Sequence, residues 1–431
     1  MARSITFLHT ADLHFGAPFR GIRNLSETWS DRLLEAIGAA YDTVIETAIK
    51  REVDFVVIAG DVFDTARASY RDYRRFFDGL HRLDRAGVPA YLCTGNHDPY
   101  TSWQIDFERL PPSAVMFDAA RPSFALYERD GEALCLLGGR SYFNQTWPRD
   151  QRISEGIDRA SLERNLERQT GRDNLSRQQA PFSVGVIHTG LTLDPLKAPE
   201  NPLDLMATGI DYWACGHIHS RYAYPSWDDP SIVFPGCIQG RDANETGSRG
   251  CVLVTLTEGA GNRVEFVPTA SIDWERLSVD VSDASTVSDV ERSIVEALFR
   301  ANGRAQCARM IARVKLVGST DLHDVLCRND VLEDLRTRLS SAYDEFFVDE
   351  LSNRTKKPRD LERMGDEALF AAAFVRAAER RGKDISALRA EVEEQLVEWR
   401  LDPSAANALT DDLCDQSMGL VLDLLDGGLQ R

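Results

Sequence analysis

The sequence predicts an α+β protein, and three observations carry that prediction. Apolar strands alternate with amphipathic helices at the start, shorter strands take over from about Pro122, and a smaller α+β segment near Ala270 passes into helices beyond Pro358. The 431 residues are 43% hydrophobic, enough for a large core, which excludes a disordered or fibrous chain. The formal net charge of -18 excludes a protein that coats DNA by bulk attraction; phosphates would have to meet metal ions or local basic patches. The 8 cysteines form no CxxC pair, and about 18 uncharged apolar residues never run together, so a soluble cytoplasmic chain with reduced thiols and no membrane span is expected.

The first strand is Ile5 to Leu8, apolar on both faces. Leu33, Ile37, Tyr41, Val44, Ala48 and their neighbours recur at helical spacing, with Ser30 or Asp31 as N-cap and Arg51 near the far end. A strand at Phe55 to Ala59, a helix around Tyr70 to Leu83 and a strand at Pro89 to Cys93 complete βαβαβ, hence a parallel sheet. Strands at Phe124 to Tyr127 and Ala133 to Leu137 precede a polar stretch, Asn144 to Ala180. Its roughly seven basic and six acidic residues read as a solvated helical excursion rather than a nucleic-acid patch. Strands at Phe182 to Ile187, Tyr212 to Cys215, Ile232 to Phe234, Cys251 to Leu256 and Val264 to Val267 imply a second, more antiparallel sheet. The domains expected are 1–270, a catalytic unit; 271–355, a small α+β cap; and 356–431, a helical region whose apolar stripes at 369–378, 385–399 and 413–425 suit core packing or a partner.

Chemistry gathers immediately after the strands. Asp12-Leu13-His14 follows the first, Gly60-Asp61-Val62-Phe63-Asp64 the second, Gly95-Asn96-His97-Asp98 the third; His188 and Gly216-His217-Ile218-His219 follow two later ones. Carboxyl ends of neighbouring strands open on one crevice, so clusters spread over about 200 residues can meet. Each alone is a common turn or capped histidine, but five of the 8 histidines fall in these clusters.

In this order the clusters resemble the signature of the calcineurin-like metallophosphoesterases, over roughly residues 4 to 270. The resemblance implies a four-layer α/β/β/α sandwich of two mixed sheets and a pair of divalent ions. Asp12, His14, Asp61 and His219 would hold one ion, Asp61, Asn96, His188 and His217 the other, with Asp61 bridging. His97 would act as general acid, positioned by Asp98. Carboxylate, amide and imidazole ligands suit manganese, iron or zinc better than calcium, the resemblance together with ligand softness puts manganese first, and two such ions can hold a hydroxide in line with phosphorus.

The flanking residues narrow the family. Protein serine/threonine phosphatases carry Asp-Arg-Gly after the second motif and GNHE in the third; here Asp64 precedes Thr65-Ala66, and the third motif ends in Asp98. His9-Thr10-Ala11-Asp12-Leu13-His14 and Asp211 to His219 look like the SbcD-type DNA repair exonucleases. Phe234 to Arg241 and Glu245 to Gly250 are closer to the YhaO branch. Leu13 stands where the SbcD type usually has Trp, outside the ligand set. The resemblance implies a DNA exonuclease, a homodimer, and a coiled-coil ATPase partner of the SbcC/YhaN type. For DNA contacts, Arg20, Arg23, Arg67, Arg71, Arg74, Arg75, Arg221, Arg241 and Arg249 lie close in sequence to the metal-bearing loops. The rival readings are a small-molecule phosphodiesterase or phosphatase on the same core, and a scaffold subunit of an ATPase complex.

Overall fold

The computed structural model describes every residue except 1, 23–25, 65–66, 104–106, 359–384, 411–412, 414–416, 418–420 and 422–431. Its strands are β1 (Ser4–Thr10), β2 (Phe55–Ala59), β3 (Ala90–Cys93), β4 (Ala114–Met116), β5 (Ser123–Arg129), β6 (Glu132–Gly139), β7 (Phe182–His188), β8 (Tyr212–Gly216), β9 (Tyr222–Tyr224), β10 (Ile232–Phe234), β11 (Gly250–Thr257), β12 (Arg263–Pro268), β13 (Asp273–Asp280), β14 (Met310–Val317) and β15 (Phe346–Asn353). Its helices are α1 (Glu27–Lys50), α2 (Tyr70–Arg85), α3 (Arg159–Thr170), α4 (Pro202–Ala207), α5 (Val287–Asn302), α6 (His323–Leu326), α7 (Asn329–Ala342) and α8 (Ile385–Glu398).

Two six-stranded mixed sheets form, in the orders β12-β11-β1-β2-β3-β4 and β5-β6-β7-β8-β10-β9. Alternation along each strand splits the apolar residues between two faces. Leu8, Val56, Ile58 and Leu92 pack with Tyr41, Val44, Phe76 and Leu80 of α1 and α2. Phe7, Phe55, Val57 and Tyr91 meet Val184, Val186 and Tyr212 of the opposite sheet. Leu136, Ile187 and Trp213 pack on Leu162, Leu166 and Leu205 of α3 and α4. Those three apolar layers make the four-layer sandwich.

Two expectations about the sheets are corrected. β11 and β12 join the first sheet, because β11 returns antiparallel beside β1, Ser4 opposite Thr257. That leaves the second sheet more parallel than expected: β6 with β7, β7 with β8 and β8 with β10 are all parallel. Helix α1 also starts earlier than Ser30 or Asp31: the Ser26 side chain caps it by accepting from the Trp29 amide, and Trp29 is buried with Trp274 and Phe347. Helix α2 begins with a capping box between Ser69 and Asp72. The arginine-bearing stretch folds around α3, capped by Asp158 and ended by Gly171 in a left-handed conformation. Its Arg159 is buried, donating to the carbonyls of Leu175, Ala180 and Phe182, while Arg177 pairs with Asp211.

The chain divides into two compact units, one of Met1–Leu277, Val295–Val314 and Arg336–Leu351, the other of Ser278–Ile294, Lys315–Leu335 and Ser352–Arg431. A third sheet runs β13-β14-β15. Helix α8 buries none of its residues, and Trp399 and Leu401 after it are exposed. The stripe expected at 369–378, and nearly all of that at 413–425, lies outside the described residues. Among the described residues no helix is long and apolar enough to cross a membrane.

Candidate metal centre

The loops after β1 and β2 continue the strand pairing beyond the sheet edge. The amides of Asp12, His14 and Phe15 donate to the carbonyls of Gly60, Asp61 and Val62 at 3.1, 3.0 and 2.9 Å. Sharp turns then aim the side chains into the crevice. Asp12, His14, Asp61 and His217 all have positive φ, at 52°, 54°, 51° and 107°, which costs an L-residue about 1 kcal/mol or more. Gly95 is required beneath Asp61, since a Cβ there would lie 2.1 Å from Asp61 Oδ1.

Seven side chains expected as ligands are brought together. Asp12, His14 and His219 form one cluster of converging donor atoms; Asp61, His188 and His217 form another. Nε2 of His14 and Nε2 of His219 face each other at 3.1 Å. Asp61 Oδ2 lies 3.8 Å from His14 Nε2 and 3.4 Å from His188 Nε2, between the two clusters. Asn96 Oδ1 is 3.2 Å from His188 Nε2. Imidazole nitrogens that face one another beside carboxylates only 1% exposed make a donor set that cations satisfy, so these residues fit a pair of divalent ions.

A further layer orients the imidazoles. His188 Nδ1 donates to the Ala59 carbonyl at 2.9 Å, which turns Nε2 to the centre. Asp194 takes His217 Nε2 at 3.0 Å, leaving Nδ1 for an ion, and Glu245 takes His219 Nδ1 at 2.5 Å, leaving Nε2. Sequence reasoning assigned no role to Asp194 or Glu245. Asp194 carried no signal, whereas Glu245 lay in a run noted only for its resemblance to the YhaO branch. The buried Cys237 thiol also sits beside His219 and Glu245.

In the field of the protein's own groups, burial alone would raise Asp61, but His188, His14 and His97 outweigh it and hold the carboxyl well below its usual range. Burial would likewise lower His188, yet Asp61 and Asp12 push it up to about 9. Burial lowers His14, helped by the nearby Arg241. Glu245 is held at about 2, with His219 and Arg241 overcoming its burial.

His97 is exposed at the same centre, its ring 5.0 Å from that of His14, and its amide donates to Asp61 Oδ1 at 2.8 Å. Asp98 works through the backbone. Its buried carboxylate accepts from the amides of Gly95 at 2.7 Å, Val62 at 2.9 Å and Asp61 at 3.1 Å, tying together the loops that carry Asp61 and His97. Burial and the adjacent Asp61 push Asp98 up to about 8, while the Gly95 and Val62 amides draw it down.

The arginines separate into two groups. Arg71 and Arg75 pair with Glu35, and Arg75 also with Asp42, which joins α2 to α1. Arg74 lies 3.9 Å from Asp78, and Arg23 is outside the described residues. Arg249 is buried, donating to the carbonyls of His219 and Thr246. Arg20 is exposed, Arg67 reaches Asp64 at 3.5 Å, Arg221 lies over the Phe266 ring at 3.9 Å, and Arg241 approaches His219 Nδ1 at 3.3 Å.

Comparison with known proteins agrees with this geometry. Residues 5–221 match the calcineurin-like phosphoesterase family, half of the chain. The chain belongs to that family. The phosphoesterase is therefore a metal-dependent phosphoester hydrolase, and it carries candidate ligands for divalent ions. Residues 274–356 match the middle domain of metallophosphoesterase YhaO. The phosphoesterase is 30% identical over 316 residues to the uncharacterised metallophosphoesterase YhaO of Bacillus subtilis, covering 72% of each chain. It is 27% identical over 287 residues to the DNA double-strand break repair protein Mre11 of Aeropyrum pernix, covering 65% of this chain and 64% of that one. It is 22% identical over 399 residues to Mre11 of Thermoplasma acidophilum, covering 88% of this chain and 97% of that one.

Proposed function

We propose that the phosphoesterase is a two-metal DNA exonuclease of the repair type. The observation that carries this reading is Asp61, whose Oδ2 lies between two imidazole clusters while its Oδ1 receives the amide of the exposed His97. Asp12, His14, Asp61 and His219 would hold one ion and Asp61, Asn96, His188 and His217 the other, with manganese favoured by the family resemblance and ligand softness together, and iron or zinc also fitting. When bound, the ions supply Lewis acidity toward phosphoryl oxygens and lower the pKa of water. The chain's own residues do the rest. Asp194 and Glu245 fix the ring orientations, Asp98 fixes the loops, and His97 delivers a proton to the departing oxygen.

Similarity to proteins named for DNA double-strand break repair supports DNA as the substrate. Arg20, Arg67, Arg71, Arg221 and Arg241 would meet backbone phosphates against the acidic body. Residues 1–270 would act as the catalytic domain and 271–355 as a cap. The exposed apolar residues around α8 suit a coiled-coil ATPase, and a homodimer and a cytoplasmic setting complete the reading.

The test is hydrolysis of end-labelled single- and double-stranded DNA beside bis-p-nitrophenyl phosphate, with Mn²⁺ or with EDTA. Manganese-dependent shortening from an end is the expected result. Hydrolysis of the small diester with DNA untouched would move the substrate to a small phosphodiester.

A further inference from the structure

The rim of the metal centre is chemically asymmetric. Beside His219 it is charged, with Arg241 at 3.3 Å and Glu245 at 2.5 Å from Nδ1. Beside His97 and His188 it is aromatic. Tyr100 follows His97 by three residues and is 48% exposed; Phe143 is 51% exposed. The two loops that carry them are joined by backbone hydrogen bonds. The Tyr100 amide donates to the Tyr142 carbonyl at 2.8 Å, the Thr101 hydroxyl to the Phe143 carbonyl at 3.0 Å, and the Tyr142 amide to the Thr94 carbonyl at 3.2 Å. Tyr142 is buried with its ring 5.7 Å from that of the ligand His188, so the loop that carries Phe143 borders the centre.

Single exposed aromatics are ordinary on protein surfaces. Two of them on loops bonded to each other, flanking a phosphoryl-transfer centre, match what a nucleotide needs. Every nucleobase presents a π-face, and aromatic stacking captures it without regard to sequence. A base can reach these rings only when it is not stacked in a duplex.

We propose that Tyr100 and Phe143 form a stacking platform for the unpaired base of the nucleotide whose phosphodiester lies at the metal centre. The phosphoesterase then selects single-stranded or frayed ends. The proposal rests on the nuclease reading above and adds the form of the substrate.

The experiment compares wild type, the Tyr100→Ala/Phe143→Ala double variant and the Tyr100→Phe/Phe143→Tyr double variant, full-length and with Mn²⁺. The substrates are two single-stranded oligonucleotides that differ only in whether the terminal nucleotide carries a base or is abasic. Wild type should lose on the order of tenfold in kcat/KM on the abasic end. The alanine variant should lose the same factor on the base-bearing end and no longer tell the two apart, while the conservative variant restores the discrimination. Both rings are exposed, so thermal midpoints should stay unchanged. An alanine variant that discriminates as wild type does, or loses equally on both substrates, would overturn the platform and leave the nuclease reading intact. Wild type that hydrolyses bis-p-nitrophenyl phosphate but neither oligonucleotide would overturn both.

Discussion

Asp61 explains why a strained turn survives in a buried position. Its φ of 51° directs one carboxylate oxygen between two imidazole clusters and the other to the His97 amide, so the local cost is offset by the cations it can bind. His97 sits outside the ligand clusters, which predicts a separable effect. His97→Ala should lower kcat by about 10² to 10⁴ while metal content, measured by elemental analysis, stays at the wild-type level. Loss of metal with loss of rate would make His97 a structural residue. His9, three residues before Asp12, predicts a pH effect. It is fully buried against the Tyr212 hydroxyl, and burial pushes it down to about 3. Between that value and the ordinary 6.5 the unfolded chain takes up a proton that the folded chain refuses. Stability is therefore lost as pH falls through 6.5 toward 3, by up to about 1.4 kcal/mol per unit from this group. The stability difference between wild type and His9→Asn, measured by denaturant unfolding, should shrink as pH falls across that window; a pH-independent difference would contradict the assignment. At this scale the ligands were legible because each lies in a short run after an apolar strand. Asp194 and Glu245 were not, because their partnership with His217 and His219 depends on how two irregular loops fold back.

Strand ends and loops decide what the ligands can do together. Asp98 ties the loop after β2 to the loop after β3 through the amides of Asp61 and Val62, and closes its own loop through the amide of Gly95. Asp98→Ala leaves those buried donors unpaired, at about 1–3 kcal/mol each. The variant should unfold at clearly lower denaturant and bind Mn²⁺ more weakly, whereas a purely local role on the His97 ring would leave stability unchanged. The element-level reading of the sequence succeeded where periodicity is local, as in β1 to β3 with α1 and α2. It failed for β11 and β12 because their apolar alternation is equally suited to either sheet. Only the long-range pairing of Ser4 with Thr257 decides between them. The early start of α1 was hidden for a related reason: Trp29 is held by Trp274 and Phe347, residues far along the chain.

At the scale of the whole molecule, the sandwich brings ligands from five strand ends to one crevice of a chain whose net charge is -18. That charge opposes a polyanionic substrate, so divalent cations serve association as well as chemistry. They should also serve stability, since they bind the folded centre and not the unfolded chain. At about 100 times the dissociation constant, a single bound ion contributes about 2.7 kcal/mol. EDTA should therefore lower the thermal midpoint by several degrees, and Mn²⁺ should restore it. Two ions sharing Asp61 is the arrangement on which this chemistry depends. It is tested most directly by counting manganese per chain in wild type and Asp61→Ala, with electron paramagnetic resonance to detect coupling between the ions. Two coupled ions per wild-type chain and at most one in Asp61→Ala are the expected result. A wild-type chain that saturates at one ion, or an Asp61→Ala chain that keeps two coupled ions, would contradict it.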